Sequence, residues 1–306
     1  MITDIHNSYK EQVKLLLQLL PYFMKEPRFA LKGGTAINLF YQNMPRLSVD
    51  IDLTYLPIED RNISLKNIDD SFNKIMQELK NKISNLSIRP VLTKERNIKQ
   101  LIFSNLKAIV KVEINHVLRG TVYECTVKDL CPLAEKDFNT FIMAQCLSYE
   151  DLYSGKMCAA LDRQHPRDLF DIKLMLESRA IDQKLMNCFI IYLISNNRPI
   201  FELLNPNRLD FFTSYKEEFQ GMCKQHITIQ ELFDVRETLI KNIIENLTNN
   251  QRQFLINFKT GNPNWELLEL DKIKNLPAIK WKLQNIRKMK KDKHDFCLNQ
   301  LKKILE

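Results

Sequence analysis

Between Phe29 and Leu53 the chain carries the pattern that most restricts its fold. A short apolar stretch, Phe29-Ala30-Leu31, runs into Lys32-Gly33-Gly34-Thr35, and Ala36 to Tyr41 then resumes a helical look. From Ser48 to Leu53 the residues alternate strictly, with Ser48, Asp50 and Asp52 on one face and Val49, Ile51 and Leu53 on the other. Period-two alternation marks a half-buried strand. The order is strand, glycine turn, helix, strand, and it places two carboxylates side by side on the polar face of the second strand. Like charges so close repel unless a cation or solvent stands between them. A glycine turn at a helix start offers backbone N–H groups and the positive end of the helix dipole, which suit a phosphate.

The remaining periodicities extend this frame. Residues 8–24 read as an amphipathic helix, 68–84 as a helix, and 88–93, 100–103 and 108–115 as strands. In the last of these Lys111, Glu113 and Asn115 share the polar face, so Glu113 is the candidate for a third carboxylate. The pattern Ser148-x-x-Asp151 opens a helix running to about Arg163, and Pro166 suits the first turn of the next, reaching about Ser178. On the first of these helices Lys156 and Arg163 differ by about 20° at 100° per residue and lie on one face. His165, before a proline, reads as a cap or surface residue. Beyond residue 180 the pattern is helical.

With 306 residues the chain has room for two domains, set here at 1–180 and 181–306. The expected class is α+β, a mixed sheet with flanking helices followed by a mainly helical C-terminal domain. The longest apolar run, Cys188 to Ile194, is far short of a bilayer span, and the N-terminal residues lack a signal-peptide pattern. Seven scattered cysteines without a C-x-x-C pair read as reduced thiols, neither a disulfide frame nor a zinc site. A cytoplasmic protein with no membrane contact is expected. Of the net charge of +8, residues 271–306 carry +7, eleven Lys and Arg against four acids. That basic tail, with Lys288, Lys290, Lys291 and Lys293 at its centre, is the candidate for phosphate contacts with nucleic acid. The alternative is a helix over 296–303 docked through Phe296, Leu298 and Leu301, its lysines facing water.

The segments LKGGTAINLFY and RLSVDIDL resemble the signature of the DNA polymerase β type nucleotidyltransferase superfamily. More specifically they resemble the AbiEii/AbiGii toxin family, which includes MenT-like toxins of bacterial toxin–antitoxin systems. The likeness continues at Lys156, Arg163 and Pro166-Arg167-Asp168-x-x-Asp171 and covers roughly residues 27–176. It implies transfer of a nucleotide from a nucleoside triphosphate, with Mg2+ or Mn2+ as cofactor and pyrophosphate as leaving group. Under it Asp50, Asp52 and Asp171 are catalytic, and Asp50, Asp52 and Glu113 hold metal. Gly33, Gly34, Thr35, Ser48, Lys156 and Arg163 bind the nucleotide. It also implies an RNA acceptor, with the 3′ end of a tRNA as candidate, and a separately encoded antitoxin. Two other readings compete. A metal-dependent nuclease of the PD-(D/E)XK kind needs a lysine where Asn115 stands. A non-catalytic RNA- or partner-binding module on a nucleotidyltransferase shell would leave the intact motifs without use.

Overall fold

The computed structural model describes residues 2–223, 225–268, 270 and 273–306. Asp271 and Lys272, the start of the basic tail, lie outside the described residues. In chain order the principal elements are α1 (Ile2–Met24), β1 (Phe29–Lys32), α2 (Gly33–Ala36, continued by a π-helical turn, Ile37–Tyr41), β2 (Asp50–Tyr55), α3 (Arg61–Lys82), β3 (Ser87–Leu92), β4 (Ile98–Ser104), β5 (Ile109–Ile114), β6 (Thr126–Asp129), α4 (Pro132–Phe138), β7 (Met143–Cys146), α5 (Tyr149–Arg163), α6 (Pro166–Ser178), α7 (Gln183–Ser195), α8 (Ile200–Leu204), α9 (Phe212–Ser214), α10 (Ile229–Asn246), α11 (Asn249–Lys259), α12 (Pro277–Arg287) and α13 (Lys291–Leu305).

The chain forms two compact units, Met1–Ser148 with Gln220–His226, and Tyr149–Phe219 with Ile227–Glu306. The first holds a seven-stranded mixed sheet in the order β3-β4-β5-β2-β1-β7-β6. β2 runs antiparallel to β1 and parallel to β5. The alternation expected on β5 is present, with Val110 and Val112 fully buried and Lys111 and Glu113 exposed. α1 and α3 close the core over this sheet, where the Phe23 ring meets Phe72 of α3 and Phe103 of β4 edge-on, each at 6.0 Å between centroids. Edge-to-face rings add to the area they bury. The strand β3, at one sheet edge, tolerates Pro90 because an edge strand has unpaired backbone positions. The segment Gln220–His226 returns to this unit and pairs beside β2's approach, with Leu47 N–H donating to Met222 O at 2.9 Å.

The second unit is helical. Its centre is α7, whose residues from Leu185 to Ile194 are buried on nearly every side, as expected of a helix apolar all round. The helix ends are written locally: Asp182 accepts from Leu185 N–H, and Thr228/Glu231 and Thr248/Gln251 form capping boxes at α10 and α11. The boundary differs from the expected residue 180. α5 packs on α6 and α7 and α6 on α10, so both join the helical unit, which begins at Tyr149. The expected class, a mixed sheet with flanking helices followed by a helical region, is the one observed.

Candidate active site

The register of the sheet assembles the polar face. β1 sets Lys32 opposite Asp52, β5 sets Glu113 opposite Asp52, and β4 sets Gln100 opposite Glu113. Lys32, Asp52, Glu113 and Gln100 therefore form one row across four strands, with Asp50 and Lys111 paired one step along. Neighbouring strands lie about 4.8 Å apart, so each charge in the row feels the next. Gln100 Nε2 donates to Glu113 Oε1 in a short contact. Burial pushes the Lys32 ammonium below its usual range, and the charges of Asp52 and Glu113 pull it partly back.

The two glycines are required by what lies against them. Gly33 has φ +71°, and a Cβ there would lie 2.3 Å from Asp52 Oδ2. At Gly34 a Cβ would lie 2.8 Å from an Arg46 guanidinium nitrogen and 3.0 Å from Ser48 Oγ. The Thr35 hydroxyl donates to Asp50 O at 2.5 Å and lies 2.9 Å from Ser48 Oγ. Both side chains are buried. They tie the turn to the strand that carries Asp50 and Asp52. Gly33→Ala should therefore lower both stability, by about 1–2 kcal/mol from the left-handed backbone alone, and transfer, since Asp52 must move. Wild-type incorporation by this variant would remove Asp52 from the reaction centre.

Asp50, Asp52 and Glu113 present only carboxylate oxygens, the donor type that hard divalent cations take. Among the described residues no three His, Cys, Asp or Glu side chains stand placed for a metal. The expected trio thus resolves into the Asp50/Asp52 pair with Glu113 in register beside it, its carboxylate held by Gln100. The nuclease reading loses its position too, because Asn115 Oδ1 accepts from the N–H groups of Val117 and Leu118 at 2.8 and 2.9 Å and serves the turn.

In the helical unit α5 and α6 bring four charges together. Lys156 Nζ lies 2.9 Å from Asp168 Oδ1 and 2.9 Å from Asp171 Oδ2, and Arg163 reaches Asp168 Oδ2 at 2.7 Å. Asp171 is fully buried and Lys156 is 7% exposed. Burial alone would raise the Asp168 carboxyl, but Lys156 and Arg163 outweigh it and hold the group below the usual carboxylate range. The shared face of Lys156 and Arg163 thus converges on one carboxylate. Asp168 acts as their joint partner, beyond the dipole role its first-turn position suggests. His165 caps α6, its Nδ1 accepting from Arg167 N–H.

Sequence reasoning gave no role to Lys32, Arg46 or Gln100. The signal for Lys32 was its place directly before Gly33, but which strand faces it follows from pairing across the sheet. Of the tail, Lys288, Lys290, Lys291 and Lys293 are all exposed. α13 buries Cys297, Leu301 and Leu305, while Phe296, expected in the docked face, is 55% exposed.

The fold is similar to that of MenT4, a nucleotidyltransferase toxin from Mycobacterium tuberculosis H37Rv, with a TM-score of 0.59 over 91% of this chain and 93% of that one at 14% identity. At that identity the likeness is one of fold. The family model described as nucleotidyl transferase AbiEii toxin, type IV TA system, matches residues 14–285, well beyond the 27–176 of the sequence motifs. The chain belongs to that family of nucleotidyltransferase toxins. No curated protein matches it. Among the described residues no helix is long and apolar enough to cross a membrane.

Proposed function

We propose that the protein transfers a nucleotide from a nucleoside triphosphate to RNA, with a tRNA 3′ end as the acceptor and Mg2+ or Mn2+ as the ion, and that a separately encoded antitoxin neutralises it in the cytoplasm. The observation that carries the reading is the row Lys32–Asp52–Glu113 laid against the glycine turn, two acids and a base in register on one face. Asp50 and Asp52 would hold the ion, and Glu113 would join them by releasing Gln100. The ion supplies charge stabilisation at the phosphoryl oxygens in in-line displacement. Gly33 leaves room for the Asp52 carboxylate, and Thr35 and Ser48 fix the strand that bears it. Arg163, whose side chain is 64% exposed, offers positive charge to a phosphate, whereas the charge of Lys156 is met by Asp168 and Asp171. Asp171 orients Lys156, a role that full burial and the 2.9 Å contact suit better than the catalytic one that the resemblance implies.

Incubation of the purified protein with each labelled triphosphate, Mg2+ and total RNA, followed by a denaturing gel, tests the reading. Label should enter RNA with one or more of the four. Label that never enters RNA overturns the acceptor, and shortened RNA favours a nuclease.

The RNA acceptor implies a use for the exposed lysines of the tail. Replacing Lys288, Lys290, Lys291 and Lys293 together with Gln should weaken RNA binding and reduce the slope of log K against log salt by at most about 3, the value for four lost phosphate contacts on a single strand. Equal binding at every salt concentration would leave the lysines as a solvated face. Deleting 285–306 is a poorer test, since it also removes the buried Cys297, Leu301 and Leu305.

A further inference from the structure

The helical unit contains a cavity of about 140 Å³ bordered by α8, α11, α12 and α13. Its walls are largely apolar, with Phe201, Ile286, Met289 and Leu301 among them. Three lysines also line it, Lys259, Lys282 and Lys293, and among the described residues no Asp or Glu does.

The three ammonium groups differ in what they bind. Lys282 donates to the carbonyl oxygens of Asn196, Asn197 and Arg198, the last at 2.8 Å, so its three N–H donors meet three acceptors just past the end of α7. Its charge is fixed in the wall, and burial together with the nearby Lys259 brings its pKa down to about 8. Lys293 is exposed, at the rim. Lys259 is 6% exposed, and the one polar contact of its Nζ among the described residues is the Met289 thioether at 3.5 Å, a weak acceptor. Lys259 is the last residue of α11, where the helix dipole favours a cation but supplies no oxygen for its protons. A buried ammonium without an oxygen partner is costly, and its burial lowers its affinity for a proton.

We infer that this cavity is a binding site for a small organic anion, a carboxylate on an apolar body, with the carboxylate accepting from Lys259 Nζ and the body lying against Phe201, Ile286 and Leu301. An apolar hollow with a few placed polar groups is the usual form of a small-molecule site. A carboxylate fits better than a phosphate because one buried ammonium and one at the rim match two oxygens, whereas a phosphate would leave further oxygens facing hydrocarbon. The site stands on the helical unit alone and does not depend on the acceptor proposed above.

The test uses the full chain labelled with [13C-methyl]methionine, with the Met289 resonance assigned by Met289→Leu. Benzoate supplies body and charge, benzyl alcohol the body alone, and inorganic phosphate the charge alone. Benzoate should shift the Met289 methyl saturably and bind at least about tenfold more tightly than either of the others. Lys259→Met should abolish benzoate binding and raise the melting temperature of the free protein, because it removes an unsatisfied buried charge. Lys259→Gln gives the same binding test should Met disturb the packing. No saturable shift with benzoate overturns the inference, as does benzyl alcohol binding equally well or a Lys259 variant binding like wild type. Phosphate binding more tightly than benzoate overturns the carboxylate assignment.

Discussion

Asp52→Asn should abolish nucleotide transfer and leave the fold standing. On one face of the sheet the three acids Asp50, Asp52 and Glu113 stand against two cations, Lys32 and Lys111, so negative charge exceeds positive. Neutralising one acid lowers the mutual repulsion, so the melting temperature should stay at or above that of the wild type. Activity should behave in the opposite way. A carboxylate-held ion supplies several kcal/mol of charge stabilisation at the phosphoryl group, and at about 1.4 kcal/mol per tenfold the loss should exceed a hundredfold. Asp50→Asn should act alike. Glu113→Gln should cost less, because its carboxylate already has a partner in Gln100. The measurement is incorporation of labelled triphosphate beside a thermal melt of each variant. Wild-type incorporation in both aspartate variants would sink the assignment. A loss of activity that accompanies a fall of many degrees in melting temperature would reduce it to a folding defect.

The part of this site that the sequence displays is the part governed by local period. Alternation from Ser48 to Leu53 and from Ala108 to Asn115 gives the strands and the face of each acid. The glycine pair marks the turn, though the reason for Gly33, the Asp52 carboxylate where its Cβ would be, exists only once β1 and β2 are paired. Register is a non-local choice, and it is register that aligns Lys32 with Asp52 and Gln100 with Glu113. The strands β6 and β7, four residues each, show too little period to be read, and β7 is held to β1 through a single register pair, Leu31 with Cys146. In the helices the shared face of Lys156 and Arg163 is plain from spacing. Their joint partner is not, because Pro166 interrupts the helical phase between Arg163 and Asp168. The compact units divide at Tyr149 for a related reason: α5 and α6 follow the sheet in sequence but pack on α7 and α10.

Lys156→Met should be the most destabilising single change in the α5/α6 cluster. The lysine bridges Asp168 and Asp171, whose side chains are 4% and 0% exposed, and its own side chain is 8% exposed. Deleting one partner of a buried pair leaves charge without compensation and costs about 3–5 kcal/mol. Arg163 still serves Asp168, so Asp171 is the carboxylate that loses its lysine. The pH dependence follows from the sign of each shift. In the wild type the Asp168 carboxyl is held below its unfolded value, so its contribution is complete above the ordinary carboxylate range and is lost as pH falls through that lowered value. In the variant Asp171, still fully buried, has lost this ammonium, which shifts it toward the protonated form. The stability gap between wild type and variant should therefore be widest near neutrality and narrow as pH falls through the carboxylate range. Adding Asp171→Asn to Lys156→Met should recover part of the loss at neutral pH, because the amide is neutral. Urea melts of the three proteins at two pH values decide the matter. A gap that does not change with pH, or a double variant no more stable than the single one, would show that packing of the lysine stem, and not its charge, holds α5 to α6.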